Sequence, residues 1–330
     1  MERHLINTTA SVSEKDSIIR FKRDVLNGLK ASPKELQPKY FYDEVGTELF
    51  RKIMKLPEYY LTDCELDIFQ HKTAQLAKLI TQHNEEFDLI ELGSGDGFKS
   101  KHLLDYLFHS KTNFTYMPID ISKSALEYLS ESLNDQLPGM EIQSFQGEYV
   151  EMLAEACYSS KRRKVVLFLG ANIGNMELPQ ANEFCGELQS LLSPKDLLLV
   201  GFDLKKDPKK VLAAYNDTSG ITSQFNLNLL ERINRELDAD FVVDQFEHYP
   251  VYDPISGACR SFLVSLNQQQ VCIGENQIHF QKNEVIQMEI SQKYDLNGIC
   301  DLAAKTGFKT VGMIADSNGW FVDAIWEKRE

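Results

Sequence analysis

The sequence predicts an α/β protein with a Rossmann-like parallel sheet flanked by helices and a second α+β domain. From about residue 87, short apolar runs alternate with amphipathic runs of helix length, as in parallel strands joined by helices. This alternation stops after Leu204 and resumes near the end of the chain. We therefore expect a sheet core at residues 66–204 and 292–330, and a second domain made of residues 1–65 and the insertion 205–291.

The expected core strands are apolar runs on both sides of the insertion. They read FDLIELGSG, FTYMPIDIS, MEIQSFQGE, KVVLFLGAN and DLLLVGFDL, and later KTVGMIA and WFVDAIWE. Between them, segments such as ALEYLSESL place apolar residues three and four positions apart, as helices that pack on a sheet require. Within the insertion, helices are expected first, followed by strands at FVVDQFEHYPVY, RSFLVSLNQ and NQIHF.

Charge and composition narrow the class of partner. The formal net charge of −14 disfavours nucleic acid, whose binding needs concentrated lysine and arginine. No segment approaches the roughly 20 apolar residues of a membrane span, and the charged N-terminus lacks the apolar centre of a secretory signal. The cysteines form no CxxC pair and the histidines no HEXXH spacing, which disfavours disulfides and metal sites. We expect a cytoplasmic monomer that acts on a small molecule, without metal, membrane or nucleic-acid partner.

A glycine-rich turn follows the first core strand, in the run Glu91-Leu92-Gly93-Ser94-Gly95-Asp96-Gly97. Glycines there let the backbone approach a nucleotide-like cofactor. The dehydrogenase fingerprint GxGxxG would need glycine where Phe98 or Ser100 stands. The form ExGxGxG instead resembles motif I of S-adenosylmethionine-dependent methyltransferases. In that family the loop wraps the amino-acid end of the cofactor, and Lys99 would meet its carboxylate.

Two acidic residues follow the next two strands. Asp120 ends the second strand, where a carboxylate can accept hydrogen bonds from both ribose hydroxyls. The alternative is that Asp120 caps the following helix, a role for which Ser122 competes. Glu148 follows the third strand and would accept a hydrogen bond from the exocyclic amine of adenine. Together with the glycine turn, these positions predict S-adenosylmethionine as the cofactor.

Five segments, in order, resemble the histidine-specific N-methyltransferases of ergothioneine biosynthesis. They are PKYFYDEVGTELFRKIMKLPEYYLTDCE, ELGSGDGFKSKHLL, GANIGN, AAYNDTSGITSQFNLNLLERINREL and MEISQKY. Members of that family have a class I methyltransferase core and a second domain made from the N-terminal helices and an insertion. The resemblance implies that the α-amine of histidine is methylated, with three S-adenosylmethionines, to trimethylhistidine (hercynine).

The resemblance also implies which residues bind the substrate. Asn175 and Tyr215 would hold the carboxylate of the amino acid. Tyr42 would lie beside the reacting amine as the catalytic residue. Tyr59 would be a further substrate-binding residue.

Recognition of the imidazole ring is implied for Glu289 and Ser291. Glu289 would accept from the ring N–H, and Ser291 would bond to the second ring nitrogen. From pattern alone, the two are alternate residues on one face of a strand. Ser261 stands where histidine-selective members usually have methionine, which changes the size and polarity of the pocket.

Three further functions stay open at this point. Fungal relatives in the family methylate tryptophan-derived amines, so another amino acid or an indole amine is an alternative substrate. A nicotinamide-dependent oxidoreductase is a second alternative, disfavoured by Phe98 and Ser100. A non-catalytic protein that only binds the cofactor is the third.

Overall fold

The structure is a computed structural model, and it describes residues 7–8, 14–83 and 85–330. The α-helices of the described chain are α1 (Glu14–Lys30), α2 (Glu44–Ile53), α3 (Leu61–His71), α4 (Thr73–Ile80), α5 (Lys101–His109), α6 (Lys123–Gln136), α7 (Tyr149–Ser159), α8 (Leu178–Leu191), α9 (Pro208–Ala213), α10 (Ile221–Leu237) and α11 (Leu296–Lys305). Short 3-10 helices occur at Pro38–Phe41, Asn172–Asn175 and Val243–Gln245.

The strands alternate with these helices along much of the chain. They are β1 (Asn7–Thr8), β2 (Lys34–Glu35), β3 (Phe87–Leu92), β4 (Phe114–Asp120), β5 (Glu141–Ile142), β6 (Phe145–Gln146), β7 (Arg163–Phe168), β8 (Leu197–Asp203), β9 (Phe246–Tyr252), β10 (Ala258–Ser265), β11 (Gln269–Ile273), β12 (Asn276–Phe280), β13 (Val285–Gln292), β14 (Phe308–Ala315) and β15 (Phe321–Lys328).

The chain divides into two compact units. The first comprises residues 1–10, 61–204 and 293–330, and the second comprises residues 11–60 and 205–292. The chain thus changes unit at 60/61, whereas the sequence placed this boundary at 65/66. Strand β1 pairs with β6 in the sheet of the first unit, although residues 1–65 were expected to belong together.

The first unit contains one large sheet with the strand order β1-β6-β4-β3-β7-β8-β15-β14. Neighbouring strands from β6 to β8 run parallel, whereas β15 is antiparallel to both β8 and β14. Strands β3, β7 and β8 are buried along their whole length, as expected for parallel strands covered on both faces. This strand order, with its reversed β15, is that of a class I methyltransferase core and confirms the predicted α/β fold.

One predicted strand is wrong in extent. The segment MEIQSFQGE was expected to form one strand, but it forms the two short strands β5 and β6, each of two residues. Both pair with β4, β5 near the start of that strand and β6 at its end. The strand is interrupted at Gln143 and Ser144, although the Gln143 amide still donates to the Tyr116 carbonyl at 2.9 Å. Hydrophobic periodicity alone does not show this break.

The second unit is built around a smaller sheet with the strand order β2-β13-β10-β9. Helix α10 carries apolar residues at three- and four-residue spacing, and these join a buried cluster with α1 and the sheet. Its members include Phe21, Phe225, Leu229, Leu263 and Met288. A separate hairpin of β11 and β12 follows, and this hairpin includes the predicted strand NQIHF.

Among the helices of the described residues, none is long and apolar enough to cross a membrane. Over the same residues, no three side chains of histidine, cysteine, aspartate or glutamate are grouped as a metal ion would require.

Candidate active site

The glycine turn at the end of β3 is tied to the neighbouring strand β4. The backbone amides of Gly93 and Ser94 both donate to the carbonyl of Ile119, at 2.8 and 3.2 Å. Gly93 and Gly95 have φ angles of 73° and 53°, which favour glycine over residues with a Cβ. Glycine thus occurs where the backbone turns sharply, at the carboxyl end of the sheet. Folds of this kind bind their ligands at that edge.

Asp120 holds the turn from the end of β4. Its Oδ2 accepts from the Gly95 amide at 3.0 Å, and its Oδ1 accepts from the Ser122 amide at 2.8 Å. Ser122 itself caps helix α6 by accepting from the Ala125 amide at 3.2 Å. The helix cap is therefore Ser122 and not Asp120. Each carboxylate oxygen of Asp120 retains acceptor capacity for a ribose hydroxyl.

Glu91 lies at the end of β3 and is buried. The hydroxyl of Tyr116, on β4, donates to Glu91 Oε2 at 2.5 Å. Burial raises the pKa of Glu91 to about 7, and the hydrogen bond from Tyr116 only partly opposes this shift. Glu91 therefore titrates near neutral pH while it stands directly before the glycine turn.

This pKa predicts that Glu91 makes the protein less stable as the pH rises. Between pH 4.5 and about 7 the folded state keeps a proton that the unfolded chain releases, so the free energy of unfolding falls across this window. The stabilisation is complete below pH 4.5 and lost above about pH 7. The free energy of unfolding of Glu91→Gln, relative to wild type, should rise by on the order of 2 kcal/mol between pH 5 and pH 8. Urea unfolding at both pH values measures this difference. An unchanged difference between the two proteins would contradict the shifted pKa.

Lys99 follows the turn and forms an ion pair with Glu65 of helix α3. Glu65 is fully buried, and both of its carboxylate oxygens lie 2.9 Å from the amide nitrogen of Gly170. An added Cβ at Gly170 would lie 3.5 Å from Lys99 Nζ, so the ammonium lies beside this backbone. Lys99, which was predicted to bind the carboxylate of the cofactor, thus has a fixed position beside the loop after β7.

Two other predicted residues lie further along the carboxyl edge of the sheet. Glu148 is exposed and precedes α7, and its side chain makes no capping hydrogen bond to that helix. Asn175 is exposed at the end of the 3-10 helix Asn172–Asn175, with its Nδ2 3.5 Å from Asn172 Oδ1. Asn175 belongs to the first unit, whereas Tyr215 belongs to the second.

The residues of the turn fit the amino-acid and ribose parts of S-adenosylmethionine. Ser94 Oγ is buried and has no hydrogen-bond partner among the described residues, so it can bond to a polar ligand. A Cβ added at Gly95 would meet nothing within 4 Å, so this glycine borders open space. The cofactor carries a carboxylate, which suits the Lys99 ammonium, and ribose hydroxyls, which suit the Asp120 carboxylate. The buried hydroxyl of Ser94 offers a further hydrogen bond beside the open turn.

In the second unit, the predicted imidazole-binding residues lie in the C-terminal half of β13. Glu289 is opposite Ser261, and Ser291 is opposite Cys259, across the β10–β13 pair, so these side chains share one face of the sheet. The hydroxyl of Tyr215 donates to Ser291 Oγ at 2.6 Å, and both residues are buried. Tyr215 was expected to hold the substrate carboxylate, whereas in the structure its hydroxyl donates to Ser291 and orients that residue.

Helix α10 supplies polar groups to the same face. Asn226 is fully buried, and its Nδ2 lies 3.5 Å from Glu289 Oε1 and 3.0 Å from the carbonyl of Thr222. The Oδ1 atom of Asn226 and the hydroxyl of Ser261 are buried without a hydrogen-bond partner in the described chain. The small, polar Ser261 thus adds an acceptor and donor beside Glu289, where a methionine would be apolar.

The predicted tyrosines of the second unit belong to an aromatic cluster. Tyr42 makes edge-to-face contacts with Phe50 and Phe225, at centroid distances of 5.5 and 5.8 Å. Tyr59 makes the same kind of contact with Phe50 and Tyr215, at 6.3 and 6.4 Å. Tyr42, Tyr59 and Tyr215 therefore belong to one connected cluster. Aromatic ring contacts at centroid distances of 4.5 to 7 Å stabilise such a cluster.

Sequence reasoning missed several residues of these sites. Glu65 occupies a core position of α3, whose buried residues are Leu61, Cys64, Glu65, Ile68 and Phe69. An acidic residue on an apolar helix face was the signal that could have identified it. Tyr116 and Asn226 carried no comparable signal, because their importance comes only from the partners that they contact.

Comparisons with known proteins agree with this picture. A family model described as "Histidine-specific methyltransferase, SAM-dependent" matches residues 21–328. The histidine N-alpha-methyltransferase of Mycobacterium tuberculosis is 35% identical over 305 residues, which cover 92% of this chain and 93% of that protein. The protein of the same name from Mycolicibacterium smegmatis is 34% identical over 302 residues, covering 91% of this chain and 92% of that protein.

A longer relative matches as well. Ergothioneine biosynthesis protein 1 of Schizosaccharomyces pombe is 29% identical over 287 residues, which cover 84% of this chain and 37% of that protein. The family match extends over the sheet with its reversed strand, the glycine turn and the second unit with Glu289 and Ser291. This chain therefore belongs to the family of histidine-specific, S-adenosylmethionine-dependent methyltransferases.

Proposed function

We propose that the protein methylates the α-amine of L-histidine with S-adenosylmethionine, up to trimethylhistidine. The observation that carries the proposal is the pair Glu289 and Ser291 on one face of β13, with Ser291 oriented by Tyr215. The names of the bacterial relatives support the same substrate.

The pair offers the two kinds of hydrogen bond that a neutral imidazole needs. A neutral imidazole has one N–H donor and one acceptor nitrogen. In the proposed complex Glu289 accepts from the N–H, and Ser291, whose Oγ accepts from Tyr215, bonds to the acceptor nitrogen. An indole has no acceptor nitrogen and would lose the proposed bond to Ser291, at a cost of about 1–3 kcal/mol. The polarity of this face therefore favours histidine over an indole amine.

The aromatic cluster suits an amine that becomes a cation during the reaction. An α-amine has a pKa near 8, and desolvation beside Tyr42, Tyr59 and Tyr215 lowers it, so that more of the amine is neutral and reactive at pH 7. As methyl groups accumulate, the product is a quaternary ammonium, which aromatic ring faces attract. We assign Tyr42 to the position beside the amine and Tyr59 to the substrate pocket.

The first unit would hold the cofactor through residues of its carboxyl edge. Asp120 would accept from the ribose hydroxyls, Glu148 from the adenine amine, and Lys99 would bond to the carboxylate. Gly95 lets the backbone approach the amino-acid end, and Ser94 offers its unpaired hydroxyl. Bound S-adenosylmethionine supplies a methyl group on a positively charged sulfur, so the protein mainly has to position the two reactants.

The remaining assignments stay predictions. We propose that the first unit is the cofactor-binding domain and the second the substrate-binding domain, with the boundaries of the compact units. Asn175 stays a predicted ligand of the substrate carboxylate. The same role predicted for Tyr215 would compete with its bond to Ser291, because a tyrosine hydroxyl has one hydrogen to donate. The net charge of −14 argues against a nucleic-acid partner. A cytoplasmic monomer that needs no metal or membrane stays a prediction too.

Mass spectrometry of the reaction products tests this function. With S-adenosylmethionine, the protein should convert histidine, monomethylhistidine and dimethylhistidine to trimethylhistidine, because each has the same imidazole. Tryptophan, assayed in parallel, should give at most traces of product. Methylation of tryptophan or another amine without any methylated histidine would refute the histidine assignment and leave the cofactor assignment intact.

A further inference from the structure

A buried ionic cluster lies under the carboxyl edge of the sheet in the first unit. Glu65 is fully buried within helix α3 and forms an ion pair with Lys99, whose side chain is 22% exposed. The same carboxylate accepts from the Gly170 amide, with both oxygens at 2.9 Å. Glu65 therefore connects the segment after the glycine turn with the loop after β7.

The sheet leaves room for this carboxylate at one position. A Cβ at Gly201, on β8, would overlap Glu65 Oε1. Directly opposite Gly201 on β15 is Asp323, which is fully buried and whose two carboxyl oxygens have no hydrogen-bond partner among the described residues. Burial raises the pKa of Asp323 well above its usual value, and the charge of Glu65 raises it further, which favours the neutral carboxylic acid. The ion pair of the cluster is the one between Glu65 and Lys99.

Lys99 has donors left for a ligand. A lysine ammonium has three N–H groups, and Glu65 uses one of them. With Glu65 and the Gly170 backbone beside it, the ammonium has a fixed position, which reduces the entropy lost when a ligand binds.

We propose that Glu65 is a positioning residue for S-adenosylmethionine, because it holds the Lys99 ammonium where the remaining N–H donors meet the carboxylate of the cofactor. This inference rests on the proposed role of Lys99 in cofactor binding. It assigns a function to an acidic residue that would otherwise serve only to neutralise a lysine.

The test measures binding of S-adenosylhomocysteine to the full chain by calorimetry, without any amino-acid substrate. Glu65→Gln should weaken binding by about 10-fold or more, since bonds to charged groups are the stronger ones. The KM for S-adenosylmethionine should rise in parallel while kcat changes by less than about 3-fold. Binding within about 3-fold of wild type would overturn the proposal.

A matched control separates positioning from general destabilisation. Asp88 and Lys164 form a second buried ion pair, at 2.7 Å, in the same sheet but at the start of β3. Asp88→Asn should lower the free energy of unfolding as Glu65→Gln does, yet leave S-adenosylhomocysteine affinity within about 3-fold of wild type. An equal loss of affinity in Asp88→Asn would mean that Glu65 is only structural, and would overturn the proposal.

A double-mutant cycle tests whether Glu65 acts through Lys99. In a Lys99→Met background, Glu65→Gln should change the affinity by less than about 3-fold, whereas additive losses would overturn the proposal. If Glu65→Gln does not fold, Gly201→Ala displaces the same carboxylate without changing its charge and should weaken binding likewise; unchanged binding in that variant would overturn it. A wild-type chain that binds S-adenosylhomocysteine but does not methylate histidine would refute the proposed function alone.

Discussion

Asp120→Asn is expected to weaken S-adenosylhomocysteine binding by about 100-fold, because it removes two kinds of hydrogen bond at once. Both carboxylate oxygens accept from backbone amides, those of Gly95 and Ser122. An asparagine has only one acceptor oxygen, so its NH₂ group would face one of these amides and leave it unpaired. The charged acceptor for the ribose hydroxyls is lost as well. Calorimetric titration of the purified variant measures the effect.

Asp96→Asn is the matched control for this prediction. Asp96 lies in the same turn and accepts from the Phe98 amide at 3.1 Å, but it is exposed. We expect its affinity for S-adenosylhomocysteine to stay within about 3-fold of wild type, since a solvent-exposed amide can bond to water instead. If Asp120→Asn binds as tightly as Asp96→Asn, Asp120 is not the ribose ligand.

Glu289→Gln should lower kcat/KM for histidine by about 100-fold, mainly through KM, because the charged acceptor for the ring N–H is replaced by a neutral one. The substitution also disturbs the contact with Asn226, whose Nδ2 lies 3.5 Å from Glu289 Oε1. Affinity for S-adenosylhomocysteine should not change, since this strand belongs to the second unit. Steady-state kinetics with varied histidine, together with calorimetry, measure both quantities.

Glu284→Gln provides the comparison on the same part of the chain. Glu284 directly precedes β13 and forms a partly exposed ion pair with Lys34 at 2.7 Å. Such pairs contribute about 0–1 kcal/mol to stability, and kcat/KM for histidine should therefore remain within about 2-fold of wild type. Equal kcat/KM values for Glu289→Gln and Glu284→Gln would exclude Glu289 from substrate recognition.

The first unit shows which parts of the fold could be predicted from the sequence. The order of strands and helices and the glycine turn at the end of β3 were predicted because each depends on a local pattern, either hydrophobic periodicity or glycine at positive φ. The split of MEIQSFQGE into β5 and β6 was not predicted, because a run of β-forming residues does not show where it leaves its partner strand.

Of the two sites, too, the sequence predicted some residues but not the side chains and backbone groups that they contact. Asp120, Lys99, Glu289 and Ser291 were predicted from motifs and resemblance, and the structure shows the partners that orient three of them. Asp120 bonds to the turn, Lys99 pairs with Glu65, and Ser291 accepts from Tyr215. These partners lie 25 to 76 residues away in the chain, so no local pattern could reveal them.

By itself, the sequence determined the fold class, the cofactor and the family, because these depend on the periodicity of short segments and on motifs in a fixed order. Only the tertiary structure decided that Ser122 rather than Asp120 caps α6, that Tyr215 orients Ser291, and that Glu65 holds Lys99. The physical reason is that a hydrogen bond or ion pair requires two side chains to come within about 3 to 4 Å. Helix and sheet packing brings distant residues that close, and composition or spacing along the chain does not show which ones will meet.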